Sequence, residues 1–241
     1  MSSRSGVPPV LDARIVKRRP HFTVDVTVRV RSGEACGLFG VSGSGKSTVL
    51  ACIAGAEEPD GGHVTVDDVA VFPPPLPLHR RRLGYLTQDA NVFPHLRVVD
   101  NVWFGLTNGS RDANEPWIAE LRERLQLGSI WHAPANAISG GQARRVALAR
   151  MLARKPPVVL LDEPFSGLDR HLVRELVSAI VRWQSELGFT MVVVGHESDV
   201  LERLCSRVIA IEDGRTVQDA SWSELRTRPA TPLLAQLVAP L

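Results

Sequence analysis

GVSGSGKST, residues 40–48, is the stretch from which the rest of this chain can be read. It follows EACGLFG, an apolar run of strand length, and it opens STVLACIAG, a helical pattern stopped by Gly55. Gly40, Gly43 and Gly45 let the backbone curl with its N–H groups inward, which is how a strand-to-helix turn cradles phosphate oxygens. Ser42, Ser44 and Thr48 complete the predicted phosphate-binding run. Lys46 supplies a cation for the β- and γ-phosphates, and Ser47 supplies a hydroxyl for Mg²⁺.

A second stretch, VVLLDEP at residues 158–164, completes the chemistry. A carboxylate at the end of a buried apolar strand is costly unless it meets a cation. Asp162 suits a contact to Mg²⁺ through water. Glu163 follows it, placed to orient or deprotonate an attacking water. Together the two stretches predict a Mg²⁺-dependent nucleoside triphosphatase.

Working outward, FTVDVTVRV (residues 22–30) alternates as a half-buried strand, and HVTVDDVAVF (63–72) as strands of an antiparallel edge. FPPPLPLHRRR (72–82) reads as a proline-rich loop with a solvated basic end. LGYLTQD is a strand ending near Gln88. Residues 90–127 turn helical, with Pro94 and Pro116 expected as breaks. GGQARRVALARMLARK (140–155) is a helix with Val146, Leu148, Ala149, Leu152 and Ala153 on one half and Arg144, Arg150 and Arg154 on the other. HLVRELVSAIVRWQSEL is another helix, TMVVVGH a buried strand, DVLERLC helical, and RVIAIEDGRTVQD a hairpin turning at Asp213 and Gly214.

Apolar strands alternating with helices imply an α/β fold of the P-loop NTPase (RecA-like) kind. It has a mostly parallel sheet, an antiparallel β edge and an inserted α-helical subdomain. The expected division is a single domain over 1–241, with its core and β edge in 20–88 and 158–220. The helical subdomain takes 89–157 and a helical tail 221–241.

The bulk numbers agree with one such domain: 241 residues, 44% apolar and 22% charged. A net charge of +2 gives no broad footprint for nucleic acid. Cys36, Cys52 and Cys205 have neither metal nor CxxC spacing and read as small buried hydrophobes in a reducing compartment. The N-terminal stretch has no apolar core, so it does not read as a signal peptide, and no run approaches the ~20 apolar residues of a membrane span.

The order GVSGSGKST, Gln88 in YLTQD, ISGGQ, VVLLDEP, SGLD and His196 in VVVGH resembles the ATPase subunit of an ABC transporter over about residues 20–220. The resemblance implies roles. Gln88 is the Q-loop glutamine, reaching Mg²⁺ and the attacking water and sensing a transmembrane partner. Ser139, Gly140, Gly141 and Gln142 form the signature loop, Asp169 is the D-loop aspartate, and His196 is the switch histidine on the γ-phosphate. Two positions depart from the pattern. Ile138 replaces the usual leucine, and Lys17 stands where an aromatic residue usually stacks on adenine, leaving Arg18, Arg19, His21 and Phe22 as alternatives.

The resemblance also implies a head-to-tail dimer, in which one subunit's signature loop closes on ATP held by the other's phosphate loop. Its implied partners are a second ATPase subunit, transmembrane permease subunits and, for an importer, a substrate-binding protein. No nucleic acid is implied. Its place is the cytoplasmic face of the cell membrane, held there through the permease. LPLHRRRLGYLTQDANVFPHLRVVDNV resembles the ATPases of importers of molybdate-like oxyanions, many of which carry a further β-rich domain that this sequence does not include. An exporter subunit, or an importer of another solute, is the alternative. A non-transport ABC ATPase would need a long coiled-coil insertion or a second cassette, and a non-hydrolysing module would have lost Glu163 or His196.

Overall fold

The structure, a computed structural model, describes residues 9–106 and 111–239. The expectation about the N-terminal stretch falls partly on residues 1–8, outside the described residues. The strands are β1 (Pro9–Arg18), β2 (Thr23–Arg31), β3 (Ala35–Phe39), β4 (Gly61–Val66), β5 (Val69–Phe72), β6 (Leu83–Leu86), β7 (Val158–Asp162), β8 (Thr190–Val194), β9 (Arg207–Glu212) and β10 (Arg215–Ser221). The helices are α1 (Lys46–Ala54), α2 (Val98–Phe104), α3 (Arg111–Arg124), α4 (Gly140–Ala153), α5 (Arg170–Leu187), α6 (Ser198–Leu204), α7 (Trp222–Thr227) and α8 (Pro232–Val238).

All the strands join one sheet in the order β5-β4-β1-β2-β10-β9-β3-β8-β7-β6. From β9 to β6 the neighbours run parallel; β5, β4, β1 and β2 form the antiparallel edge. The α/β reading with an antiparallel edge is therefore what the chain adopts. β1 lies ahead of residue 20, where the sequence reading began the core. Its Leu11, Ala13 and Ile15 are fully buried and alternate with Asp12 and Arg14, a strand pattern that the sequence reading did not use.

β7 and β8 show why their sequences are apolar apart from Asp162 and Thr190, each at a strand end. Successive side chains leave a strand on opposite faces. Leu160, Val192 and Val194 pack with α1 residues Val49, Leu50 and Ile53. Val159, Leu161, Met191 and Val193 pack on the other face with residues of α3 to α8, including Leu148, Leu176 and Trp183. A strand covered on both faces has no position left for a polar side chain.

Two local expectations are corrected. Pro116 does not break a helix: α3 runs through it, losing one backbone hydrogen bond, while Trp117, Ile118 and Leu121 bury its apolar face. The basic end of the proline-rich loop is not all solvated. A short 3-10 turn spans Leu78–Arg80, and Arg81 is buried, donating to the carbonyls of Cys52 (3.0 Å) and Ile53 (2.6 Å) at the end of α1. It caps the helix that begins at the phosphate loop. The three cysteines are buried and free, and burial pushes the Cys36 and Cys52 thiols up to about 12, which leaves them inert at neutral pH.

Two-sided burial of β7 is testable with adjacent truncations. Leu160→Ala and Leu161→Ala point to opposite faces, and each should destabilise the protein by about 2–5 kcal/mol in urea unfolding. A near-neutral result for either would show that one face of the strand is not core.

Candidate functional site

The carboxyl ends of β3, β7 and β8 converge on the loop that leads into α1. At Gly40 φ is +149°, and an added Cβ would lie 2.2 Å from the Ile211 carbonyl oxygen; at Gly45 φ is +101°, and a Cβ would meet Val24 at 2.8 Å. Only glycine fits both positions. The turn between β9 and β10 braces the loop from beside it, through Gly214 N–H to the Ser44 carbonyl at 3.1 Å. Ser42 and Gly43 form its exposed tip, whereas Ser44 is buried.

Lys46 folds back into this curl. The residue is 6% exposed, and its Nζ donates to the carbonyls of Gly40 (2.9 Å) and Val41 (2.7 Å) and to Ser44 Oγ (3.3 Å). Burial lowers its pKa, opposed by the charges of Glu163 and Asp162. Ser47 Oγ donates to Asp162 Oδ1 at 3.0 Å, joining residues 115 positions apart. Asp162 is 2% exposed; burial raises its pKa, the Ser47 hydrogen bond lowers it and Glu163 raises it further. A hydroxyl beside a buried carboxylate is a hard-oxygen pair that suits Mg²⁺, which takes few protein ligands when phosphates and waters supply the rest. Among the described residues no cluster of three or more His, Cys, Asp or Glu could hold a metal by itself.

Glu163 has φ +47°, a left-handed conformation that costs a non-glycine residue about 1–3 kcal/mol. Its N–H donates to the Val194 carbonyl (3.1 Å), and its carbonyl accepts from Ser166 N–H (3.2 Å). The strain turns the side chain out at the end of β7, where Oε1 lies 3.7 Å from His196 Nδ1. The fold thus brings Gly40–Thr48, Asp162, Glu163 and His196 together.

Gln88 follows β6, the strand beside β7. Its side chain is exposed, while its carbonyl accepts a hydrogen bond from Arg144. The residues of ISGGQ lie apart from the phosphate loop; among the described residues no hydrogen bond or ion pair joins the two. Ser139 caps α4: its Oγ accepts from Gln142 N–H (3.3 Å), and Gln142 Oε1 accepts from Ser139 N–H (2.8 Å). Gln142 is therefore turned back onto the chain, while an added Cβ at Gly140 would meet nothing within 4 Å. Asp169 caps α5, accepting from the N–H groups of His171 (3.0 Å) and Leu172 (2.9 Å), and these bonds hold its carboxyl below the usual range.

Of the candidates near the missing aromatic, Lys17 is turned away to the Glu58 carbonyl (2.9 Å) and Asp60 (3.1 Å). Arg19 bridges Thr48 Oγ1 (2.8 Å) and Glu57 (2.6 Å), and the Phe22 ring would lie 3.4 Å from a Cβ on Gly45. Arg18 and His21 are exposed. Two open concavities of about 610 and 660 Å³ lie elsewhere, over β1, β2 and β10 and between α3 and α5. The tip of the phosphate loop, at Ser42 and Gly43, is exposed.

Sequence reasoning gave no role to Arg144, placed on the polar half of its helix. It is 7% exposed and bound to main chain. The signal was present: α4 places arginines at 144, 145 and 150 among residues that are otherwise core.

Comparison with known proteins follows this geometry. The family profile described as "ABC transporter" matches residues 23–166. The thiamine import ATP-binding protein of Jannaschia sp. (strain CCS1) is 40% identical over 218 residues, covering 90% of this chain and 94% of that protein. The molybdenum import ATP-binding protein of Methylococcus capsulatus is 35% identical over 89% of this chain, which spans 60% of that protein's length. Among solved structures, the dimeric post-hydrolysis state of the ATP-binding cassette MJ0796, bound to ADP and Pi, superposes with a TM-score of 0.76 at 27% identity, covering 88% of this chain and 98% of that one.

The Asp162 environment makes a signed prediction. Its folded pKa is raised, so the folded chain binds more protons between the ordinary carboxylate value and the raised one. Stability falls as pH rises through that window, and at neutral pH the ionised group costs stability in the nucleotide-free protein. Asp162→Asn keeps an acceptor for Ser47 and should melt a few degrees higher than wild type at pH 7. The gap should close toward low pH, while ATP turnover falls about 10²-fold or more. Parallel melting curves at pH 4 to 8 check this; a lower midpoint at pH 7 contradicts it.

Proposed function

The chain belongs to the ABC transporter family of ATP-hydrolysing, ATP-binding proteins, and from that premise we propose that it energises an importer. The observation that carries the chemical half of this reading is the meeting of Ser47 and Asp162 at 3.0 Å beside buried Lys46, with strained Glu163 facing His196. In this reading Gly40, Ser42, Gly43, Ser44, Gly45 and Thr48 hold the phosphates, and Lys46 exchanges the loop carbonyls for the β- and γ-phosphate oxygens. Ser47 and Asp162 hold Mg²⁺, which when bound offsets the charge developing on the transferred phosphoryl group. Glu163 orients and deprotonates the attacking water, Gln88 positions it, and His196 bonds the γ-phosphate.

The site is half of a composite one. The phosphate loop leaves β3, whereas α4 is anchored beside the exit of β6, three strand positions away, or roughly 14 Å at ~4.8 Å per strand. The start of α4 therefore serves a second copy's nucleotide. Ser139 Oγ keeps its own proton to donate, and the N–H groups of Gly140 and Gly141 head the helix. Asp169 holds the neighbouring helix start in register. The dimeric cassette MJ0796 supports this arrangement.

The membrane-facing surface in this reading is the 92–104 region of the helical subdomain, residues 89–157. Phe104 is 60% exposed there and stacks edge-on to Phe93 at 4.5 Å, with the Arg150 guanidinium 4.8 Å from the Phe93 ring. A permease helix docks on these rings, holding the chain at the cytoplasmic face of the membrane, and a substrate-binding protein delivers cargo on the far side. No described helix is long and apolar enough to cross a membrane.

For cargo, a molybdate-like oxyanion rests on the 76–102 run. Thiamine rests on the 40% identity that spans nearly all of both chains. The Arg81 contacts explain one residue of that run by helix capping alone. Deleting the gene and measuring uptake of labelled molybdate and thiamine separates the two, and loss of neither, with an efflux defect instead, overturns import.

Composite sites predict a complementation pattern. Lys46→Ala and Gly140→Asp homodimers should each be inactive. Their mixed heterodimer should regain hydrolysis, because one site then holds both intact groups. Double mutant paired with wild type should stay inactive. The reverse pattern in purified, tagged heterodimers would place both loops on one chain's nucleotide. Separately, Glu163→Gln should bind ATP, accumulate as a dimer on size exclusion and turn over about 10²–10⁴-fold more slowly; normal turnover would remove Glu163 from the chemistry.

A further inference from the structure

α4 begins at Gly140 and carries three arginines whose partners are main-chain carbonyls. Arg144 donates from Nη1 to the Thr87 carbonyl at 2.8 Å and from Nη2 to the Gln88 carbonyl. Arg150 donates to the Asn91 carbonyl at 2.8 Å. Fully buried Asn101 holds Phe93 through both its N–H (2.8 Å) and its carbonyl (3.1 Å). The segment from 87 to 93 is therefore fastened to the helices that follow it.

We infer that Arg144 is a positioning residue: its two-pronged bond to successive carbonyls fixes Gln88 to the start of α4, so that Gln88 and the ISGGQ turn move as one piece. The inference rests on the reading of Gln88 as the residue that positions the attacking water. Arg144 lies four residues beyond Gly140, about 6 Å of helical rise, so little flexible chain separates the two. A planar guanidinium can hold two adjacent carbonyls in fixed geometry, whereas an ammonium acts as a point charge. Among the described residues Arg144 has no carboxylate in contact. Asp162, Glu163 and Asp89 act on it only through space, and its burial is compensated by the two carbonyl bonds. Letting go of them would leave a desolvated cation, so the tie does not slip when the subunits approach. Closure of the ISGGQ turn on a partner's nucleotide then carries Gln88 with it.

Steady-state ATPase kinetics of the full chain test this with Arg144→Gln, Arg144→Lys, Gln88→Ala and the double variant Arg144→Gln/Gln88→Ala. Arg144→Gln should lower kcat by about 10–100-fold, as loss of a group that orients a reacting-site ligand does, with KM for ATP little changed. Arg144→Lys should recover part of the loss. The double variant should be no slower than Gln88→Ala alone, since Arg144 has nothing left to position. If Gln88→Ala impairs turnover but the losses multiply, or if Arg144→Gln keeps wild-type kcat, the inference is overturned and the Gln88 reading stands. If Gln88→Ala turns over normally, both fall. Should Arg144→Gln fail to fold, Arg144→Lys decides by amide exchange across 87–90. Faster exchange with reduced kcat supports the tie, and faster exchange with wild-type kcat overturns it.

Discussion

Two charges are held out of water at the ends of apolar strands, and neither bonds the other. Lys46 donates only to neutral oxygens, and the Asp162 carboxylate accepts from the neutral Ser47 hydroxyl. Desolvation lowers the pKa of the first and raises that of the second. Such a pair is costly to the fold and suited to a highly charged ligand, since triphosphate and a divalent cation supply the matching charges together. Much of the surrounding architecture meets that cost. Strands buried on both faces supply the hydrophobic stabilisation, glycines bring backbone close to the lysine, and the Gly214 turn keeps the loop from opening.

In the proposed composite site a second copy supplies what the phosphate loop lacks. The exposed tip of the phosphate loop, at Ser42 and Gly43, leaves room for a second surface. In that reading the second surface is a helix start, since the chain's own at Gly140 is anchored three strands away by the contacts of Arg144. Ser139 and Gln142 satisfy each other in a capping box, so α4 keeps a defined start without a phosphate present. At Gly140, where an added Cβ would meet nothing within 4 Å, the start of the helix is open to an approaching surface.

The legible parts of the sequence were those where physics leaves a signature along the chain. Unbroken apolar runs in β3, β7 and β8 announce burial on both faces, and the glycine spacing at 40, 43 and 45 announces the curl. In β1 the alternation Leu11-Asp12-Ala13-Arg14-Ile15 is legible but short, because Lys17 takes the next inward position; Arg14 answers Asp25 across the sheet at 3.0 Å. Pro116 misled because a single lost backbone bond is outweighed by the burial of the turns that follow it. The arginines of α4 and Arg81 were misread for one reason. Charge was equated with solvent, on the helical wheel of α4 and in the loop at Arg81, and nothing in one dimension shows a carbonyl arriving from a distant element.

Those arginines share a chemical logic. Arg81 caps α1 at Cys52 and Ile53, Arg145 binds the carbonyls of Leu125 (2.7 Å) and Gln126 (2.8 Å) past the end of α3, and Arg144 and Arg150 bind the segment after β6. Each joins an element to a loop through carbonyls rather than carboxylates. Carbonyl acceptors do not titrate and belong to the backbone, so these ties fix chain path rather than side-chain position, and they persist across pH. A carboxylate partner would hold the arginine as firmly but would leave the backbone of its own loop free to swing. Where a reaction depends on the placement of one glutamine at the end of a loop, fastening the peptide groups on either side of it is the more direct constraint.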